Sequence, residues 1–595
     1  MAGVSLAVFK LTLAIFLAVA PTALAASTPP TFDWGSVRPC ANSSSDLFFT
    51  HVPQISSSEE LSWQECYNDF QCTKLKVPLN YSSPISDTNT ASIAILRRQA
   101  NVSSSSQEYK GPILFNPGGP GESGVDEVLR IGEQMSTILG EFDLVGFDPR
   151  GIARSTPKAS YFNDVQRAAF TPLSGLSITN QTDEGVGRTW AGAQILGKLA
   201  GERGKGFLEH LTTPNTARDM RSILKAYGQD KLQYWGISYG SVLGATYAAM
   251  FPDKIERMII DGVADSDDYF SGSGAIDLVD AEKVMESFYT GCAKAGPENC
   301  PFHASDAATI RSNLEALYEK LRTQPVPVVT SDAIAIIDHA FVRIAVWTAL
   351  HYPFDLFKPL SAGLAALAAG DGSIMFSLFG APSAELFCDA KAHTDDVVFE
   401  GTFTLVCNDY VPFSNDINDS KKALEEMAKV SQFADTWAQL RIGCSGWPKI
   451  PRNDFRGPWT GNTSHPILVI GNTADPATPM VSAKKMSSGF PNSVLLTQNS
   501  FGHTSMVEPS TCTYKVVREY FTSGALPAPG TICQPDFDTP FRPDDAAEQT
   551  KRSLSAEDVQ IREVASQLSA NFAKRRHLSP LSLRTLITLP DIPLL

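Results

Sequence analysis

The stretch Gly236-Ile237-Ser238-Tyr239-Gly240 constrains this chain more than any other. Before it, residues 231–235 form a short apolar and aromatic run that reads as a buried strand. After it, residues 241–251 read as a helix closed by Pro252. Strand, G-x-S-x-G and helix in that order make a nucleophile elbow, a turn so tight that the serine is held at a strained backbone angle. The two glycines stand where side chains would collide with the neighbouring strand and helix. A bare G-x-S-x-G arises by accident about once in five sequences of this length and composition, so its surroundings decide what it means.

Those surroundings alternate. Apolar runs at residues 91–96, 112–115, 142–147 and 257–262 are separated by helical or loop segments, among them residues 213–224 with a capping start and helical spacing. From about 270 to 430 strand-like runs thin out and helical ones dominate, for example residues 313–321 and 334–350. Alternation resumes with strands at 466–470 and 494–497 and a helix at 514–521. Strands alternating with helices predict an α/β fold with a mostly parallel central sheet flanked by helices. A sheet that stops and resumes around a helical block is most economically one domain with a mainly helical cap insertion. An independent helical domain is the alternative. The boundaries read as a lead-in at 26–90, the first part of the core at 91–270, the cap at 271–430 and the second part of the core at 431–540. Residues 541–595 read as a tail, disordered or processed at its dibasic sites, with no assigned function.

Residues 1–25 read as a signal peptide. Lys10 precedes an apolar run too short to span a bilayer, and Ala23-Leu24-Ala25 supplies the small-residue cleavage pattern. With no later apolar segment of spanning length and no lipid-anchor signal, the expected location is secreted and extracellular, without a membrane anchor. Ten cysteines fit an oxidising compartment, and none shows the C-x-x-C spacing of a zinc site, so no metal or cofactor is expected. Sequons at Asn42, Asn80, Asn101, Asn180, Asn418 and Asn462 fit a glycosylated product. The 49 basic and 64 acidic side chains among 595 residues give a formal charge of −15, which argues against a nucleic-acid partner.

A serine hydroxyl is a poor nucleophile until a base takes its proton and an acid orients that base. After an elbow of this kind the partners follow in the order serine, acid, histidine. Of nine histidines, only His503 and His577 lie beyond a strand-end acid in the resumed sheet, and His577 is in the tail. His503 sits just after the strand at 494–497 and is the expected general base. Asp475 ends the preceding strand, is followed by the rigid Pro476-Ala477-Thr478-Pro479, and is the expected acid, with Asp409 a distant second. The oxyanion requires two backbone donors. Tyr239, after the nucleophile, supplies one. Gly119, in the loop Asn116-Pro117-Gly118-Gly119-Pro120-Gly121, is preferred for the other because Pro120 has no N–H.

Asn116 to Gly121, Asp148-Pro149-Arg150-Gly151, the elbow, Asp475 to Pro479 and Gly502-His503 together resemble the prolyl and tripeptidyl aminopeptidase branch of the α/β-hydrolases. Ser510-Thr511-Cys512, with Cys533 after Gly530-Thr531-Ile532, is similar to the C-terminal segment of the secreted tripeptidyl aminopeptidases. The resemblance covers roughly residues 60 to 540. It implies a serine exopeptidase acting on peptides with a free N-terminus under a helical cap, and a structural or site-shaping Arg150. Relatives hold the substrate ammonium with acidic residues, commonly from the cap. Glu122, where such sequences often carry a small residue, and Asp409 are the candidates here. Proximity and resemblance suggest the disulfides Cys292–Cys300, Cys407–Cys444 and Cys512–Cys533, while Cys40, Cys66, Cys72 and Cys388 stay unassigned. A secreted carboxylesterase or lipase with the same triad is the competing reading. A catalytically inactive binding protein is a third, disfavoured because every triad and oxyanion position is filled.

Overall fold

The computed structural model describes residues 55–542, apart from 68, 164, 168, 171–177, 181, 332–333 and 381–397, and residues 555–574. The expected signal peptide, Asn42, Cys40 and Cys388 lie outside these residues.

A single ten-stranded sheet runs through the core in the order β1-β2-β3-β5-β4-β6-β7-β10-β11-β12. Its strands are β1 Gln64–Cys66, β2 Phe70–Val77, β3 Ala91–Arg98, β4 Pro112–Asn116, β5 Asp143–Phe147, β6 Leu232–Ile237, β7 Ile255–Asp261, β10 Leu468–Ala474, β11 Val494–Phe501 and β12 Ile532–Cys533. From β5 through β4, β6, β7, β10 and β11 to β12 every pairing is parallel. The pairings among β1, β2, β3 and β5 are antiparallel. The sheet therefore begins inside what the sequence suggested was a lead-in, since β1 and β2 precede residue 91.

Strand composition explains the layering. In β4, Ile113 and Phe115 join one apolar cluster while Leu114 joins the other; in β6, Trp235 and Ile237 face one side and Tyr234 the other. Both faces are apolar because helices cover both, as a parallel sheet requires. Helices Gly124–Ile138 and Thr511–Ser523 lie on the first face, and helices Thr213–Ala226 and Tyr239–Met250 on the second. Tight packing uses glycine: a Cβ on Gly124 would run into the Phe147 carbonyl, and one on Gly146 into that of Gly124.

The chain leaves the sheet after β7 and returns at β10. The helices between them bury their own cluster, including Phe288, Leu314, Val346, Phe357, Phe433 and Ile442. Because Ala434, Ala438 and Ile442 of helix Ala434–Ile442 belong to this cluster, the cap extends beyond residue 430. It is not wholly helical. Within the segment expected as one helix at 334–350, Ile334–Ile337 is β9, paired antiparallel with β8 (Val326–Val329), and the helix starts at His339. β-branched Ile334, Ile336 and Ile337 favour the strand. Asp338 then caps the helix by accepting from the Phe341 amide at 2.8 Å.

Part of the expected tail is structured. Helix Ala556–Lys574 places Ile561, Val564, Ala565 and Leu568 in the same apolar cluster as Trp235 and Phe521. Cys292–Cys300, Cys407–Cys444 and Cys512–Cys533 are joined, and so are Cys66 and Cys72, where β1 turns into β2. Asn101, Asn180, Asn418 and Asn462 are exposed, and Asn80 is half-buried. No helix among the described residues is long and apolar enough to cross a membrane.

Candidate active site

The loops that leave the C-terminal ends of β4, β6, β10 and β11 converge at one edge of the sheet, which is where parallel α/β sheets bind ligands. They carry the oxyanion loop, Ser238, Asp475 and His503 respectively.

Ser238 has φ 57° and ψ −122°. That conformation is costly for a residue with a Cβ, by about 1–3 kcal/mol, and persists only where the surroundings impose it. They do so here. The Ser238 amide donates to the Asp261 carbonyl of β7 at 2.9 Å, and its own carbonyl accepts from the Ser241 amide and hydroxyl at 2.8 and 2.6 Å. A Cβ on Gly236 would meet the Gly240 carbonyl, and one on Gly240 would lie 2.7 Å from the Asn116 carbonyl.

The oxyanion loop packs directly on the elbow. At Gly118, with φ +106°, a Cβ would sit 2.6 Å from the Ile237 carbonyl and 2.9 Å from the Ser238 Cβ. The Gly118 amide is taken by Asn116 Oδ1 at 3.1 Å and Pro120 has no N–H, while Gly119 lines the pocket and keeps its N–H. Tyr239 opens helix Tyr239–Met250, so its N–H has no acceptor within that helix. Gly119, Tyr239, Ser238 and His503 all line one pocket. Asp148, in the Asp-x-Arg-Gly turn, holds the far end of the loop by accepting from Ser123 Oγ at 2.5 Å and the Val125 amide at 3.2 Å. Arg150 in that turn is fully buried. It pairs with Asp219 in a two-pronged contact at 2.7 and 2.6 Å and donates to the carbonyls of Leu79, Pro78 and His210. It lies away from the pocket and joins the β2–β3 connection to helix Thr213–Ala226.

His503 Nδ1 lies 3.0 and 3.1 Å from the two Asp475 oxygens. Asp475 is fully buried and also accepts from the amides of Ala477, Thr478 and Thr504 and from the Thr478 hydroxyl, at 2.7–2.9 Å. Burial works against its charge, but His503 and these donors outweigh it and hold the carboxyl below its ordinary range. The His503 loop is bound on several sides. Asn472 Nδ2 donates to the Gly502 and Thr504 carbonyls, and Ser505 donates to Asp261 through its amide and hydroxyl. With Nδ1 facing the carboxylate, Nε2 is the nitrogen left to exchange a proton.

The candidate amine-binding acids divide. Glu122 lines the pocket, whereas Asp409 does not. Asp409 is fully buried behind the elbow, where it accepts from the Thr213 amide and hydroxyl and the Tyr269 hydroxyl. Its polar neighbours occupy it as a packing anchor, which corrects its assignment to substrate. The pocket instead contains Asp277, an acid the sequence did not single out, beside Tyr269, Tyr410 and Trp437. Trp437 Nε1 donates to Asp277 Oδ2 at 3.2 Å. Burial first, then the charge of Asp268, pushes the Asp277 carboxyl well above its ordinary range. A single aspartate in an insertion leaves no sequence signal for this placement.

Two family models match the chain: alpha/beta hydrolase fold over residues 111–309 and TAP-like protein over residues 428–533. The chain is 28% identical over 487 residues to Serine protease Hip1 of Mycobacterium tuberculosis, covering 78% of this chain and 87% of that protein. It is 26% identical over 496 residues to Tripeptidyl aminopeptidase of Streptomyces coelicolor, covering 80% and 86%. It is also 28% identical over 478 residues to Carboxylesterase B of Mycobacterium tuberculosis, covering 78% and 86%. The first matched region contains the elbow and the start of the cap, and the second contains the last cap helix, Asp475 and His503. The matched models and relatives support an α/β-hydrolase fold and a serine hydrolase, similar to the TAP-like proteins.

Proposed function

We propose that the protein is a secreted serine aminopeptidase that cleaves peptide bonds near free N-termini. In this reading His503 takes the Ser238 proton through Nε2 as Oγ attacks the scissile carbonyl. The Gly119 and Tyr239 amides stabilise the oxyanion, and Asp475 holds the imidazole in the working tautomer and supports its charge. His503 then protonates the departing amine, leaving an acyl-enzyme that water hydrolyses with the same base.

The observation that carries the exopeptidase part is the presence of Asp277 and Glu122 in the pocket that holds Ser238 and His503. A substrate ammonium beside the Asp277 carboxyl would offset the burial that works against its charge, so an acidic pocket favours a free N-terminus over a blocked one. The names of the serine protease and tripeptidyl aminopeptidase relatives support the same class. The carboxylesterase relative supports the rival reading, since the acyl chemistry is shared.

Free-amine peptide amides, N-blocked peptide amides and short acyl esters, compared side by side, separate the two. The expected result is preference for the free amine, with Asp277→Asn raising KM for that substrate by roughly 100-fold while ester hydrolysis stays within about threefold. Hydrolysis of the ester alone would overturn the peptidase reading.

A further inference from the structure

We propose that His351, the last residue of cap helix His339–His351, is a positioning residue for His503, so that the cap holds the base in its working orientation. The inference rests on the reading of His503 as the base.

Two contacts join these residues. The His503 amide donates to the His351 carbonyl at 2.9 Å, and the two imidazole rings meet edge to face, 5.2 Å between centroids and 72° between planes. Both rings line the pocket. The backbone contact alone would place the loop without orienting the base. The ring contact limits rotation of the His503 side chain about the bond that Asp475 must hold.

His351 is itself held. Its Nδ1 is 3.0 Å from the Trp347 carbonyl one turn earlier in its helix, which makes Nδ1 the protonated nitrogen. Its ring also packs edge to face on Trp347, 4.8 Å between centroids. The titratable groups facing His351 are His503, Asp475 and the Tyr352 phenol, the last neutral throughout the working range. Burial, followed by the charge of His503, drives its pKa down to about 4. The ring beside the imidazolium formed in each turnover is therefore neutral and adds no repulsion.

The next turns of the cap continue the grip. A Cβ on Gly502, with φ +112°, would lie 2.5 Å from Pro353 Cδ, so the cap backbone sits against the residue before the base. Beyond it, the Ser569 hydroxyl of helix Ala556–Lys574 lies 2.8 Å from both the Val507 carbonyl and Asp355 Oδ2 of cap helix Pro353–Ala368. His351 and Pro353 thus meet the loop at His503 and Gly502, and Asp355 reaches Val507 through the Ser569 hydroxyl.

The test compares His351→Ala and His351→Phe, with kcat expressed per serine labelled by a fluorophosphonate and measured on both an ester and a peptide amide. H351A is expected to lower kcat by about tenfold, leave KM within about threefold and shift the acid limb of the pH–rate profile. H351F, which keeps the ring, is expected to recover kcat to within about threefold of wild type. A normal kcat per labelled serine in H351A, or equal losses in both variants, overturns the proposal. Should H351A fail to fold, H351F and His351→Gln decide it: impairment of the glutamine variant alone supports ring positioning, and any other ranking overturns it. Failure of the underlying reading shows separately, as turnover surviving in His503→Ala.

Discussion

Asp409, at the end of cap helix Val398–Asp409, accepts both the amide (3.1 Å) and the hydroxyl (2.6 Å) of Thr213, the first residue of a core helix. The Thr213 hydroxyl also meets the phenol of Tyr239, the residue after the nucleophile. One buried carboxyl therefore ties the cap to the core directly behind the elbow.

That tie predicts a pH-dependent stability. Burial raises the Asp409 carboxyl to about 6, only partly offset by its hydrogen bonds to Thr213. A carboxyl with a higher pKa folded than unfolded (about 3.9) binds a proton on folding. Its stabilising contribution is present below about pH 4 and lost as pH rises through 6. Relative to Asp409→Asn, the wild type should gain about 2 kcal/mol between pH 8 and pH 4. Denaturant unfolding of both proteins across that range checks it; parallel curves would refute the assignment.

The strain at Ser238 predicts opposite effects on stability and activity. Ser238→Ala should abolish nearly all turnover and keep the strained φ of 57°. Ser238→Gly should be equally inactive yet more stable than the alanine variant by about 1 kcal/mol, because glycine tolerates that backbone. Thermal midpoints of the two variants decide the point.

Gly118→Ala should be severe. The new Cβ would fall 2.6 Å from the Ile237 carbonyl at a backbone angle that L-residues rarely adopt. Displacing the loop also moves the Gly119 donor, so kcat should fall at least about 100-fold, the cost of losing one oxyanion donor. KM should change little. Steady-state kinetics on a soluble variant test this, and a loss confined to KM would argue against Gly119 as donor.

Helix Ala556–Lys574 should contribute to stability rather than hang free. Leu568 is fully buried against the core, so Leu568→Ala should destabilise by about 2–5 kcal/mol. A change below 0.5 kcal/mol in a denaturant titration would return this segment to the status of a tail. The signal for the helix stood in the sequence, since Ile561, Val564, Ala565 and Leu568 follow helical core spacing. Its surrounding charge masked it.

The same comparison applies to the site. Ser238, the Gly118-Gly119 loop, Asp475 and His503 were legible because each depends on short-range facts: a strand end, a tight turn and the order of loops along the chain. A parallel sheet brings successive strand ends to one edge, so chain order becomes spatial proximity. Asp409 and Asp277 were not legible, because a residue in an insertion faces wherever cap packing turns it, and no local period reports that direction. Asp409 points behind the elbow and Asp277 into the pocket.

The sequence by itself determined the α/β core, the elbow and the chain order of Ser238, Asp475 and His503, all written in local periodicity and in turn chemistry. The tertiary structure alone decided which acids share the pocket with Ser238, that His351 rests against His503, and that helix Ala556–Lys574 packs on the core. No local period relates these residues, and only the packing of the cap and the last helix on the sheet brings them together.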